Sequence, residues 1–114
     1  MKNVVALLWV VSVLLSQSAK AESHIQSFIG KYCIECHGST KQKSDRRFDT
    51  LPEQIESFDS LERYQEIIDQ LNLESMPPEN APQPLEGERL EAINQLTEKL
   101  SRAHRQLEDS GGHS

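Results

Sequence analysis

The 114-residue sequence has little of what usually steadies a small protein. It has only two cysteines, Cys33 and Cys36, and a disulfide between residues three apart would close too small a loop to restrain the unfolded chain much. A disulfide framework is therefore excluded. Aromatic residues make up 5% of the chain, and the one tryptophan, Trp9, lies in its first ten residues. No segment alternates apolar and polar residues with period two, which excludes a sheet protein, and no internal repeat is present. Basic residues are outnumbered 12 to 18, for a formal charge of −6. Nucleic acid is excluded as a partner by that balance, because phosphates call for a basic surface. The longest apolar run, Val4 to Leu15 with Ser12 inside it, is short against the ~20 residues that a bilayer-crossing helix needs.

That run has another use. Lys2 gives it a positive opening, and it is followed by Ser18-Ala19-Lys20-Ala21, an Ala-x-Ala ending. This is the three-part layout of a secretory signal, so residues 1–21 are expected to be a signal peptide and the protein periplasmic or otherwise extracytoplasmic. Lys2 and Lys20 leave with it, so ten basic residues face 18 acidic ones in what remains. Apolar residues are then 27 of 93. A domain so small and so polar usually needs a staple, a metal or a partner to fold. A large planar cofactor would supply the missing apolar surface.

Three segments carry helical periodicity. Ser23 to Tyr32 places Ile25, Phe28, Ile29 and Tyr32 on one face, with Ser23 as candidate N-cap. Ser60 to Leu73 aligns Leu61, Tyr64, Ile67, Ile68 and Leu71, leaving Glu62, Glu66 and Asp69 to a solvated face. A third helix is predicted from about Leu85 to Leu107 on Leu90, Ile93, Leu96, Leu100, Ala103 and Leu107. Residues 38–50 lack periodicity and read as a surface loop. Residues 74–84 hold four of the five prolines and must be a rigid extended loop. The fold class is all-α, with one domain over 22–108 and a flexible tail over 109–114.

Cys33-Ile34-Glu35-Cys36-His37 is the strongest chemical signal. Thiols at i and i+3 on one turn can each add to a vinyl group of the same haem, and the next residue then lies under the iron as proximal ligand. C-x-x-C-H is the pattern of c-type haem attachment. A thioredoxin-like pair would need a βαβ setting, which is missing. A zinc site would need a fourth ligand from His24 or His104. Met76, in Ser75-Met76-Pro77-Pro78, is a soft thioether on a stiff loop and a candidate sixth ligand. His24, His104, His113, a lysine or water at an open position compete with it. Lys41, Lys43, Arg46 and Arg47 cluster after the motif, where they would meet haem propionates, dock an acidic partner or stay solvated.

With these pieces placed, the chain resembles a class I cytochrome c, and more narrowly a planctomycete-type cytochrome c domain, over about Phe28 to Leu100. In that group the haem motif is followed by glycine, a Gln-Lys-Gly-Gly-x-Arg-Leu-Asp-Thr-Leu type segment, a helix and Met-Pro-Pro. Here the segment reads Gln42-Lys43-Ser44-Asp45-Arg46-Arg47-Phe48-Asp49-Thr50-Leu51, with Ser44-Asp45 in place of the glycine pair. The helix has Tyr64 where the family often has tryptophan. The resemblance implies one haem c on Cys33 and Cys36, His37 and Met76 as axial ligands, three main helices around it, and Phe28 and Tyr32 packed on Leu96 and Leu100. The expected function is one-electron transfer with a redox protein partner, without enzymatic activity of its own. The alternatives are an electron-transfer domain or subunit of a larger oxidoreductase, a haem-based sensor or peroxidase-like protein with an open sixth site, and a zinc-binding secreted module. Such domains often head larger polypeptides, so the chain is either a stand-alone carrier or the front of something bigger.

Overall fold

A computed structural model describes residues 23–110, and the expected signal peptide and His113 lie outside them. Among the described residues three α-helices make up the framework: α1 over Ser23–Tyr32, α2 over Phe58–Asn72 and α3 over Glu86–Asp109. A single 3₁₀ turn, Lys43–Asp45, interrupts the first loop. Among the described residues there are no strands, only one isolated bridge between His37 and Gln42.

Each helix forms where the apolar spacing places it, but the ends are set by polar contacts that periodicity does not reveal. α2 begins two residues earlier than expected, at Phe58, with Ser57 as its cap. The Ser57 Oγ accepts from the Ser60 N–H at 3.2 Å, and the Ser60 Oγ accepts from the Ser57 N–H at 3.3 Å. This reciprocal box satisfies two donors that a helix start leaves unpaired. Leu85 cannot cap α3 with its side chain, so Glu88 reaches back to accept from the Leu85 N–H at 3.3 Å. α3 then runs to Asp109, one residue into the expected tail. Ser23 stands inside α1 rather than before it.

α3 packs against both other helices and collects one core from the whole chain. Tyr64, Ile29 and Leu96 are its most enclosed large side chains. Phe28 and Leu100 join the same cluster, and Tyr32 packs against it from a half-buried position, as expected for a first helix lying on the last. Burying each such side chain contributes about 1.5–3 kcal/mol. On α3 the buried stripe differs from the expected one: it reads Arg89, Ala92, Leu96, Leu100, Ala103, Leu107. Leu90 is 52% exposed and Ile93 only half-buried. The helix is rotated so that an arginine occupies its buried face in the first turns.

Candidate haem site

The motif continues the coil of α1 by one turn. The Cys33 N–H donates to the Ile29 carbonyl and the His37 N–H to the Cys33 carbonyl, both at 2.9 Å. That i to i+4 bond fixes Cys33, Cys36 and His37 on a single turn. Gly38 has to follow. A Cβ there would collide with the Ile34 carbonyl oxygen, so only glycine lets the chain leave this turn so tightly.

Beyond Gly38 the loop folds back over the motif. The Lys43 N–H donates to the Cys36 carbonyl at 2.9 Å, and the Phe48 N–H to the His37 carbonyl at 2.7 Å. His37 Nδ1 lies 3.2 Å from the Arg46 carbonyl oxygen. A carbonyl can only accept, so this contact makes Nδ1 the protonated nitrogen and leaves the Nε2 lone pair free for a metal. The Phe48 ring, 5.2 Å from the imidazole centroid and tilted by 53°, holds its plane. α2 braces the loop from outside. Arg63 donates to the Arg47 carbonyl at 2.7 Å and to Thr50 Oγ1 at 2.9 Å, and Arg46 pairs with Glu66 at 2.9 Å. Two expectations are thereby refined: Arg46 is committed to α2, and Glu66 is half-buried rather than part of a solvated face. Arg47 pairs with Asp49, whose carboxyl it holds below its ordinary value. Lys41 and Lys43 remain exposed.

The substituted glycine pair keeps the conformation that glycines would favour. Ser44 and Asp45 have φ of 56° and 57°, in the left-handed region. Side chains are therefore tolerated where the family type has none.

Met76 arrives by a different route. α2 ends in a Schellman motif, with the Ser75 N–H donating to the Gln70 carbonyl at 3.1 Å and the Glu74 N–H to the Leu71 carbonyl at 3.2 Å. Glu74, with φ of 56°, takes the left-handed position. The chain reverses there and presents Met76 two residues later.

Cys33, His37 and Met76 line one open cleft of about 340 Å³, together with the apolar side chains of Phe48, Ile67 and Leu71. A second hollow, about 440 Å³, is larger but is lined mainly by polar residues of α3 and contains no cysteine, histidine or methionine. Chemistry rather than size distinguishes the two. Cys36 is half-buried on the same turn but is not among the residues lining the cleft. His24 and His104 are exposed and lie outside it.

The donor set fits a haem held by a thiol of the motif and by nitrogen and sulfur donors. It fits the rival readings poorly. Among the described residues no three His, Cys, Asp or Glu side chains converge as a metal site would require, so the donors needed for zinc do not meet. Burial pushes the Cys33 thiol up to about 11, whereas a redox-active pair needs a lowered value.

Sequence reasoning passed over two residues that shape this region, Gln83 and Arg89. Gln83 donates to the carbonyls of Pro77 at 3.0 Å and Pro78 at 2.7 Å, and Arg89 donates to that of Met76 at 3.1 Å. An arginine at a core position of the helical period is the one signal that could have found this network.

Residues 33–80 match the model of a protein family described as planctomycete cytochrome C. The match opens at the first cysteine of the motif and closes just past Met-Pro-Pro, and it names the family that the sequence resembles. That family implies covalently bound haem c and a haem-based electron-transfer role. No curated protein and no solved structure matches the chain.

Proposed function

We propose that this chain is an exported monohaem c-type cytochrome, with haem attached through Cys33 and Cys36 and ligated by His37 and Met76, and that it carries single electrons without being an enzyme by itself. The observation that supports this most is the shared cleft: a motif thiol, an imidazole with Nε2 free and a thioether from the far end of the matched segment all line it. Bound there, haem supplies a one-electron ferrous–ferric couple, and sulfur ligation favours a relatively high potential.

The chain's own residues orient and shield. The Arg46 carbonyl fixes the tautomer of His37 and the orientation of its ring. Phe48, Ile67 and Leu71 would give a bound haem an apolar wall to pack against. Met76 itself is 37% exposed, so the cofactor edge beside it would be open to a partner. The partner is a redox protein. Export follows from the leader over residues 1–21, and no helix among the described residues is long and apolar enough to cross a membrane.

The exposure of Met76 also favours a second reading, in which the sixth site is open to small ligands. One experiment separates the two. The full precursor is expressed with a haem-attachment system, and its spectrum is recorded after denaturation. Haem that stays with the denatured chain supports attachment, and haem that is lost removes it. The native ferric protein should then show the weak sulfur-to-iron band, which Met76→Ala abolishes while opening the ferrous form to carbon monoxide. A wild-type protein that binds carbon monoxide rapidly would establish the open site instead.

A further inference from the structure

Arg89 is a cation on the buried face of α3, 9% exposed, and the family match ends before it. Its contacts among the described residues are all with neutral oxygens. Nη1 donates to the Met76 carbonyl at 3.1 Å and to the Leu71 carbonyl at 3.4 Å, and Nη2 donates to Gln83 Oε1 at 3.1 Å. A buried charge is costly unless its donors are satisfied, and here backbone carbonyls do the satisfying. Gln83 extends the network: while its Oε1 accepts from Arg89, its Nε2 donates to the carbonyls of Pro77, Pro78 and Ala81 at 3.0, 2.7 and 3.3 Å. Every carbonyl from Met76 to Pro78, plus the last buried turn of α2 at Leu71, is held from α3 and its leading loop.

We propose that Arg89 and Gln83 form a clamp that positions Met76, setting how firmly its sulfur occupies the sixth coordination site. This rests on haem being bound as proposed above. The planar guanidinium is suited to the task because its donors diverge in a fixed fork, toward Met76 and Leu71 on one nitrogen and Gln83 on the other. A lysine carries its three donors on one nitrogen and cannot span acceptors that Arg89 reaches with two. Without the clamp, the loop samples arrangements in which the sulfur is withdrawn, and an outside ligand finds the site vacant more of the time.

Imidazole binding to the ferric holoprotein reads that occupancy directly. Gln83 is exposed, so Gln83→Ala removes half the clamp with little loss of packing, and Arg89→Lys tests the fork while keeping the charge. Leu107→Ala, at the far end of α3 in the same core, controls for general destabilisation. Both clamp variants should bind imidazole at least about tenfold more tightly than wild type and show a weaker sulfur-to-iron band, with Leu107→Ala unchanged in both. Wild-type imidazole affinity in Gln83→Ala would overturn the clamp, as would an equal gain in Leu107→Ala. Haem absent from the denatured chain would instead remove the reading beneath it, so the two failures are distinguishable.

Discussion

Tyr64 shows how much one side chain can settle in a chain this polar. It is fully buried, and its hydroxyl donates to the Pro52 carbonyl at 2.6 Å while accepting from Gln26 Nε2 at 2.7 Å. One residue of α2 thus ties α1 to the loop that precedes α2. Burial, the main cause, raises its phenol above the ordinary value, so it remains a neutral donor across physiological pH. An indole, the family's frequent choice here, has one N–H donor and no acceptor, and could not make both bonds. Tyr64→Phe keeps the ring and leaves the Pro52 carbonyl and the Gln26 amide without this partner. The expected cost is about 1–3 kcal/mol, read as a lower urea midpoint with unchanged slope. A cost near zero would mean that water replaces the hydroxyl without penalty.

At the scale of elements, three non-glycine residues among those described stand where glycine is the conformationally easy choice: Ser44, Asp45 and Glu74. An L-residue in the left-handed region costs roughly 1–2 kcal/mol, partly offset because glycine loses about 0.4–1 kcal/mol more entropy on folding. Glu74→Gly in the Schellman turn and Ser44→Gly in the loop should each stabilise the holoprotein by up to about 1 kcal/mol. Asp45→Gly should gain less, because aspartate visits this region more readily. Thermal unfolding of the three variants checks the order, and destabilisation by Glu74→Gly would count against the helix ending described. These positions also show what the sequence made legible. Helix existence and the loop character of residues 38–50 followed from spacing, whereas the meeting of Met76 with Cys33 and His37 on one cleft was implied only by the family resemblance. Helix ends did not, because Ser57 and Ser60 are equally good caps on paper and only the backbone decides between them. Nor did the rotation of α3: Leu90 outranks Arg89 as an apolar residue, yet the arginine is buried because carbonyls of the Met76 loop are there to receive it.

For the molecule as a whole, the end of α1 must be held on the start of α3, because the haem motif begins one residue after Tyr32. The Tyr32 hydroxyl donates to Glu88 Oε1 at 2.5 Å, and Lys31 lies 3.7 Å from the other carboxylate oxygen. Glu88 also caps α3, so one carboxylate serves two elements. The Tyr32 bond first, and the Lys31 charge after it, hold the Glu88 carboxyl below its ordinary value of 4.5. A carboxyl lowered in the folded state contributes stability that is present in full above that ordinary value and is lost as pH falls through the lower, folded one. Glu88→Gln retains an acceptor but has no charge to lose. Wild type should therefore be the more stable protein at pH 6–7, and the two should converge as pH falls through the lowered Glu88 value, read from urea midpoints on holoprotein. Haem propionates and the Arg47–Asp49 pair titrate in both proteins and cancel in the difference. A gap that stays constant from pH 7 to pH 3 would mean that Glu88 acts through shape alone, and that its charge does nothing to hold the motif on the last helix.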